Sequence, residues 1–272
     1  MEKIKITLDK EKETLLVPLV CRARESEKDL PILSDPMAAQ IVQRIDYVFS
    51  ALEIPKKTHV TLCIRAKQFD QYARKFLDEH PFGTILHLGC GLDTRYFRVN
   101  TGNVEWYDLD FPDVIALRRQ FIDEKGRYHL IPSSVTNLRW IDMIADTTGQ
   151  VLILAEGLSM YLRENEMKSL LLTLQKVFPG SLLVFDCFST NTAKRKAGHP
   201  SMQKTGAEVF WGIDNAREIE HWNKGITLIE EWYFARSEEI KKLDLLYRIL
   251  FRIARIFPAA NKAHRILAFR LD

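Results

Sequence analysis

From Thr84 onward the chain alternates short apolar runs with helix-like segments, and this alternation restricts its fold more than any other feature. Runs rich in β-branched and aromatic residues predict strands over 84–88, 104–109, 128–131, 151–155 and 181–186. Segments 113–124, 138–145 and 164–178 between them carry helix-like patterns. Nearly continuous apolar strands separated by helices imply a parallel sheet covered on both faces. Two later strand-like runs, 226–234 and 265–270, flank a helix expected over 238–257. The expected fold is α/β: a doubly wound, seven-stranded, mostly parallel sheet with a late helical insertion.

The first 80 residues read as helical instead. Leu62, Ala66, Phe69, Ala73, Phe76 and Leu77 share one helix face. Ser34-Asp35-Pro36 supplies a cap and an early proline for a helix beginning at Met37, and a further helix is expected within 10–27. The expected organisation is a helical cap over 1–80 and a sheet domain over 81–272, in one compact unit. Residues 188–214 hold Gly198, Pro200 and Gly206 and read as a lid loop without a packed element.

Composition excludes several classes. The longest apolar run, Val151-Leu152-Ile153-Leu154-Ala155, is far short of the roughly 20 residues of a spanning helix. Met1-Glu2-Lys3-Ile4-Lys5 lacks the apolar core of a secretory signal, so a cytoplasmic location is expected. A net charge of +3 gives no concentrated basic surface for nucleic acid. Cys21, Cys63, Cys90 and Cys187 form no C-x-x-C pair and read as reduced and buried. The seven histidines contain no H-E-x-x-H and no close pair, so no metal is expected.

One stretch points to a ligand. The apolar run Ile85-Leu86-His87-Leu88 passes directly into Gly89-Cys90-Gly91, and an acidic residue, Asp110, follows 21 positions after Gly89 at the end of the next strand. Glycines in such a turn let backbone approach a ligand, and an acid at the second strand's tip suits ribose hydroxyls. A dinucleotide fingerprint needs a third glycine three residues after the second, and Thr94 stands there. No tyrosine is followed by lysine four residues on, so the short-chain dehydrogenase pair is missing too. A nucleoside cofactor without a pyrophosphate fits better, and S-adenosylmethionine is the expected cofactor.

Three blocks taken together, Leu88-Gly89-Cys90-Gly91-Leu92-Asp93-Thr94-Arg95, Tyr107-Asp108-Leu109-Asp110-Phe111-Pro112 and Ala155-Glu156-Gly157-Leu158-Ser159-Met160-Tyr161-Leu162, resemble the leucine carboxyl methyltransferase-like enzymes. Within that family they are most similar to the polyketide O-methyltransferase branch. Asp35-Pro36-Met37-Ala38 and Phe210-Trp211-Gly212-Ile213-Asp214 extend the similarity over most of the chain. The resemblance implies a class I, Rossmann-like methyltransferase that moves a methyl group from S-adenosylmethionine to oxygen. It assigns Arg65 to the methionyl carboxylate, Gly89 and Gly91 to the cofactor turn, and Asp110 to the ribose. It sets Ser134 and Val135 beside the adenine, where some relatives carry Asp in place of Ser134, and makes Glu156 the acid ending the fourth strand.

The residues give partial independent support. Arg65 falls at the edge of its helix's apolar stripe, where it reaches a buried carboxylate or extends to water. Glu156 ends an apolar strand at the sheet's carboxyl edge, where it lines a ligand or caps the next turn. Methyl transfer to a carboxylate needs no base, whereas a phenol with a pKa near 10 benefits from one. The sequence singles out no catalytic group; the candidates are Tyr161, His199 and Asp186. Tyr161 and Trp211 are expected to border a small-molecule, polyketide-like acceptor. His87 reads as a satisfied core histidine and Arg95 as structural.

A protein carboxyl methyltransferase, a nicotinamide-dependent dehydrogenase and a non-catalytic cofactor-binding module are the alternatives. Finally, Leu245, Leu246, Ile249, Ile253, Ile256 and Phe257 share one arc of the late helix, with Arg248, Arg252 and Arg255 opposite. The expectation is that this helix covers the sheet with its charges in water, without stable membrane association.

Overall fold

The computed structural model describes residues 3–6, 14–99, 102–144, 147, 149–197 and 208–272. Three helices come first: α1 (Leu16–Ser26), α2 (Pro36–Arg44) and α3 (Lys56–Glu79). Then β1 (Thr84–Leu88), α4 (Arg95–Val99), β2 (Glu105–Asp110), α5 (Pro112–Arg118), β3 (Tyr128–Pro132), β4 (Val151–Ala155), α6 (Glu164–Val177) and β5 (Ser181–Phe188) alternate. The chain closes with α7 (Thr190–Ala197), β6 (Ile226–Tyr233), α8 (Leu245–Ile256), α9 (Pro258–Lys262) and β7 (His264–Leu271).

The seven strands lie in the order β3-β2-β1-β4-β5-β7-β6. All pairings are parallel except those of β7, which runs antiparallel to both neighbours. Each strand falls within two residues of its expected ends. Alternation along the strands divides the core in two. Ile85, Trp106, Leu152, Leu154, Val184 and Ile266 pack under α1–α3, with Leu16, Ile64 and Phe69 among their partners. Leu86, Leu109, Ile153, Leu183, Phe185 and Leu267 pack on the other face, against Leu170, Leu171 and Leu174 of α6.

Local signals explain the helix starts. The Asp35 carboxylate accepts the Ala38 N–H at 3.0 Å, with Pro36 in the first turn of α2. Helix α3 begins six residues before its apolar stripe, because Lys56-Lys57-Thr58-His59 has no apolar period to read. The expected helix over 113–124 stops at Arg118, and the one at 138–145 is a 3₁₀ turn, Leu138–Met143. Ile4–Lys5 pairs with Ile45–Asp46 in a short parallel bridge that no sequence signal announced.

Two expectations are corrected. The lid segment is not free of packed structure: it opens with α7 and ends on buried Val209, Trp211 and Ile213. Gly198, Pro200 and Gly206 lie outside the described residues. The late helix does not cover the sheet. Residues 238–257 split into a 3₁₀ turn, Glu238–Lys242, and α8, whose N-cap Asp244 accepts the Tyr247 N–H. Helix α8 buries no residue, and Leu245 and Ile256 are 69% and 73% exposed.

Candidate functional site

β1 and β4 are neighbours, while β2 and β5 lie on their outer sides. The chain therefore leaves in opposite directions at this pair, and a crevice opens beyond the carboxyl ends of the strands. Strand parity sends His87, Asp108, Asp110, Glu156, Asp186 and His264 to the face shared with α1–α3. Apolar residues fill that face lower down, so the polar groups gather at the crevice.

The β1 turn is built on left-handed backbone. Gly89 has φ +68° and Gly91 φ +51°, conformations costly for any residue with a Cβ. Nothing stands closer than 3.6 Å to the place a Cβ would occupy at Gly91, so the backbone is open to a ligand there. The Gly91 and Phe111 N–H groups each donate to Asp110 at 2.7 Å. Asp110 keeps lone pairs to spare at the half-buried tip of β2. Burial raises its pKa against the lowering effect of those two N–H groups.

Asp108, two residues earlier, is committed to the core. It bonds to Arg118, to Tyr128, to the Trp106 indole at 2.8 Å and to His87 Nδ1 at 2.9 Å. His87 is thus a satisfied core histidine, its other nitrogen facing Arg95. Of the two neighbouring acids, only Asp110 is available at the crevice.

Arg65 reaches the crevice from α3. Its Nε donates to Glu156 Oε1 at 2.9 Å and its Nη1 to Asp186 Oδ2 at 3.0 Å. Nη2 makes no hydrogen bond among the described residues; it lies 2.9 Å from where a Cβ on Gly157 would stand. The side chain is buried, so it does not extend to water. Glu156 is held from the other side by Arg95 Nη2 at 2.5 Å, so it is not a helix cap. Arg95 is fully buried and also pairs with Asp70 and Asp93, which makes it the strut behind Glu156.

Sequence reasoning missed two members. Gly157 (φ +68°) donates its N–H to Asp186 Oδ1, and only a residue without a Cβ leaves room for Arg65. His264 Nε2 lies 2.7 Å from Asp186 Oδ2, and its ring packs against Phe188 and Phe234. β7 pairs His264 with Phe188 and Ile266 with Asp186, a diagonal that puts acid and imidazole on one face. The expected strand began at Arg265, one residue too late to flag it. Burial lowers the His264 pKa against the raising effect of Asp186.

Of the other candidates, Asp186 and Tyr161 adjoin Arg65 and Trp211 does not. Asp186 is fully buried; burial alone would raise its pKa, but Arg65, His264 and the Gly157 N–H hold it far below the carboxylate range. It orients its neighbours and has no basicity to offer. Tyr161 lies in a 3₁₀ turn after β4, packs against Met160, Ala193 and Val209, and is within the fields of Arg65 and Asp186, its pKa raised by burial. His199 lies outside the described residues. Trp211 does not join the group: it packs on the opposite sheet face against Phe185 and Trp222. The cleft of about 190 Å³ that it lines, with Glu164, Thr190 and Asp214, contains none of the Arg65 cluster. Ser134 and Val135 follow β3, next to the β2 tip, where Ser133 N–H donates to Asp110 O at 2.9 Å.

This geometry has relatives. The family model for leucine carboxyl methyltransferase matches residues 16–175, from α1 into α6. The tetracenomycin polyketide synthesis O-methyltransferase TcmP of Streptomyces glaucescens is 34% identical over 258 residues, covering 94% of this chain and 95% of its own. The chain belongs to the leucine carboxyl methyltransferase family. As a member it is an S-adenosylmethionine-dependent methyltransferase, and the dehydrogenase reading falls away.

A second family relative, the S-adenosyl-L-methionine-dependent methyltransferase dpfgK of Gibberella zeae, is 32% identical over 262 residues, covering 86% of this chain and 85% of its own. The fold is also that of solved structures with little sequence in common. A DUF574 family protein from Streptomyces avermitilis matches with a TM-score of 0.61 at 13% identity, covering 95% of this chain and 97% of that one. A methyltransferase-like structure from Thermobifida fusca matches with 0.57 at 16% identity, covering 94% of each.

Proposed function

We propose that this methyltransferase transfers its methyl group to an oxygen of a small-molecule acceptor, and that the crevice at the β1–β4 junction is where the donor binds. The observation that carries this reading is the convergence of Arg65, Gly91, Asp110 and Glu156 at that junction. The printed name of the TcmP relative, a polyketide synthesis O-methyltransferase, supports oxygen and a polyketide-like acceptor.

The donor set fits S-adenosylmethionine. Gly91 offers open backbone beside the left-handed Gly89, Asp110 has lone pairs for ribose hydroxyls, and Arg65 Nη2 is a spare donor for the methionyl carboxylate. Glu156, held rigid by Arg65 and Arg95, faces the same space, and Ser134 and Val135 edge it on the adenine side. Bound there, S-adenosylmethionine supplies an electrophilic methyl group on a positively charged sulfur.

The protein's part is to hold the acceptor oxygen in line with water excluded. A carboxylate acceptor arrives ionised and needs no further help. A hydroxyl acceptor must lose a proton, and His264, oriented through Nε2 by Asp186, is the residue to take it at Nδ1. Incubation with a ¹³C-methyl donor and matched phenol and carboxylic acid acceptors, followed by NMR of the products, tests the reading. Methyl ethers or methyl esters agree with it. Methyl on nitrogen or carbon, or none transferred to either class while donor binding is intact, contradicts it.

A further inference from the structure

Helix α8 presents an apolar arc that nothing in the described chain covers. At about 100° per residue, Leu245, Leu246, Ile249, Leu250, Ile253 and Ile256 occupy an arc of about 140°. All are exposed, and Phe257 at the C-cap extends the patch. The helix rests on the protein through a different side. Phe251 packs against the core under α1–α3, and the Lys56 ammonium sits over the Tyr247 ring at 5.2 Å. Tyr247, Phe251 and Ala254 form that inner side, so the body of the protein lies opposite the apolar arc.

The third sector is basic. Arg248, Arg252 and Arg255 are exposed and bordered by the arc, with Arg252 beside Leu245 and Ile256 on the helical wheel. From Leu245 to Lys262 the chain carries no acidic residue. The one acid at the helix start, Asp244, is occupied as N-cap and by Lys56.

We propose that α8 is an interfacial helix that seats this enzyme on an anionic lipid surface. Apolar side chains enter the acyl boundary, and the three arginines lie at the height of the phosphates. No helix among the described residues is long and apolar enough to cross a membrane, so the attachment is peripheral. The charge pattern selects this occupant over a second copy of the chain. Two copies meeting arc to arc would bring two sets of arginines to the seam, with no acid in Leu245–Lys262 of either copy to receive them. The site is close by: α9 joins α8 to His264, which holds Asp186 at the crevice. The inference stands whichever acceptor is methylated.

The test is co-flotation of the purified protein with vesicles of equal parts phosphatidylcholine and phosphatidylglycerol, and with phosphatidylcholine alone. Light scattering of the free protein runs in parallel. Binding to the anionic vesicles, weaker in high salt and weak on neutral ones, is expected. Ile249→Ser with Ile253→Ser should lower partition at least tenfold. Each of Arg248→Gln and Arg252→Gln should lower it about fivefold and flatten the salt dependence. Circular dichroism confirms that the variants are folded, and a tryptophan introduced as Leu250→Trp should shift to the blue on anionic vesicles. Absence of flotation at low salt overturns the proposal. So does a dimer that the Ile249→Ser and Ile253→Ser pair dissolves, because a second copy would then be the occupant.

Discussion

Arg65 and Glu156 stand 91 residues apart in the chain, and the guanidinium Nε donates to the carboxylate at 2.9 Å. One comes from the middle of α3 and the other from the tip of β4, so this pair ties the helical layer to the sheet at the crevice. Glu156 retains Arg95 if Arg65 is lost, whereas Asp186 would keep only His264 and the Gly157 N–H. Arg65→Ala should therefore lower unfolding free energy by about 3 kcal/mol, the lower end for breaking a buried pair. Urea denaturation measures it, and a change under about 1 kcal/mol would mean the pair contributes little net stability.

The two acids of β2 should separate stability from binding. Asp110→Asn touches a half-buried carboxylate bonded to two backbone N–H groups and should weaken S-adenosylmethionine about tenfold with little effect on melting. Asp108→Asn breaks a buried ion pair with Arg118 and should lower stability by about 3 kcal/mol or more. Parallel calorimetry and melting curves read both, and the reverse pattern would mean the wrong acid has been assigned to the crevice.

Asp108 also predicts an acid transition. Burial alone would raise its pKa, but Arg118, His87 and Tyr128 bring it down from 3.8 to about 2. A depressed folded-state pKa means stability that is fully present above about pH 4 and is lost as pH falls through about 2. The loss is on the order of 2 kcal/mol. Unfolding free energy measured against pH should fall over that window, and the part due to this acid should vanish in Asp108→Asn.

How far the sequence reached depends on the range of each signal. The strands were legible because β1 and β4 are buried at every position, which writes an uninterrupted apolar run. Asp110 was legible because a strand end is a local property. His264 was not, since its partner Asp186 lies 78 residues away and only the antiparallel register joins them. Trp211 reads the same in sequence whether it walls a ligand or fills a core. An amphipathic pattern established that α8 has an apolar face and left open what that face meets.

Gly157 offers a test of crowding against backbone strain. Gly157→Ala puts a Cβ 2.9 Å from Arg65 Nη2 at φ +68°, while Gly180→Ala sits at φ +82° with nothing within 4 Å. Both should lose about 1–3 kcal/mol of stability from the left-handed backbone. Only Gly157→Ala should also weaken S-adenosylmethionine, and equal binding in the two variants would remove Gly157 from the crevice.

The thiols should be silent in the native protein. Burial pushes Cys21 and Cys187 up to about 12 and raises Cys63 and Cys90 as well. A disulfide reagent at pH 8 should titrate none of the four until denaturant is added. A fast-reacting thiol in the native state would contradict the packing around α1 and α3.

The central claim is that the β1–β4 crevice holds the methyl donor, and calorimetric titration with S-adenosylmethionine, S-adenosylhomocysteine and NADH tests it most directly. Both adenosyl ligands should bind, NADH should not, and Arg65→Ala and Asp110→Ala should each lower adenosyl affinity at least tenfold. Adenosyl binding that survives undiminished in both variants would move the donor away from this crevice.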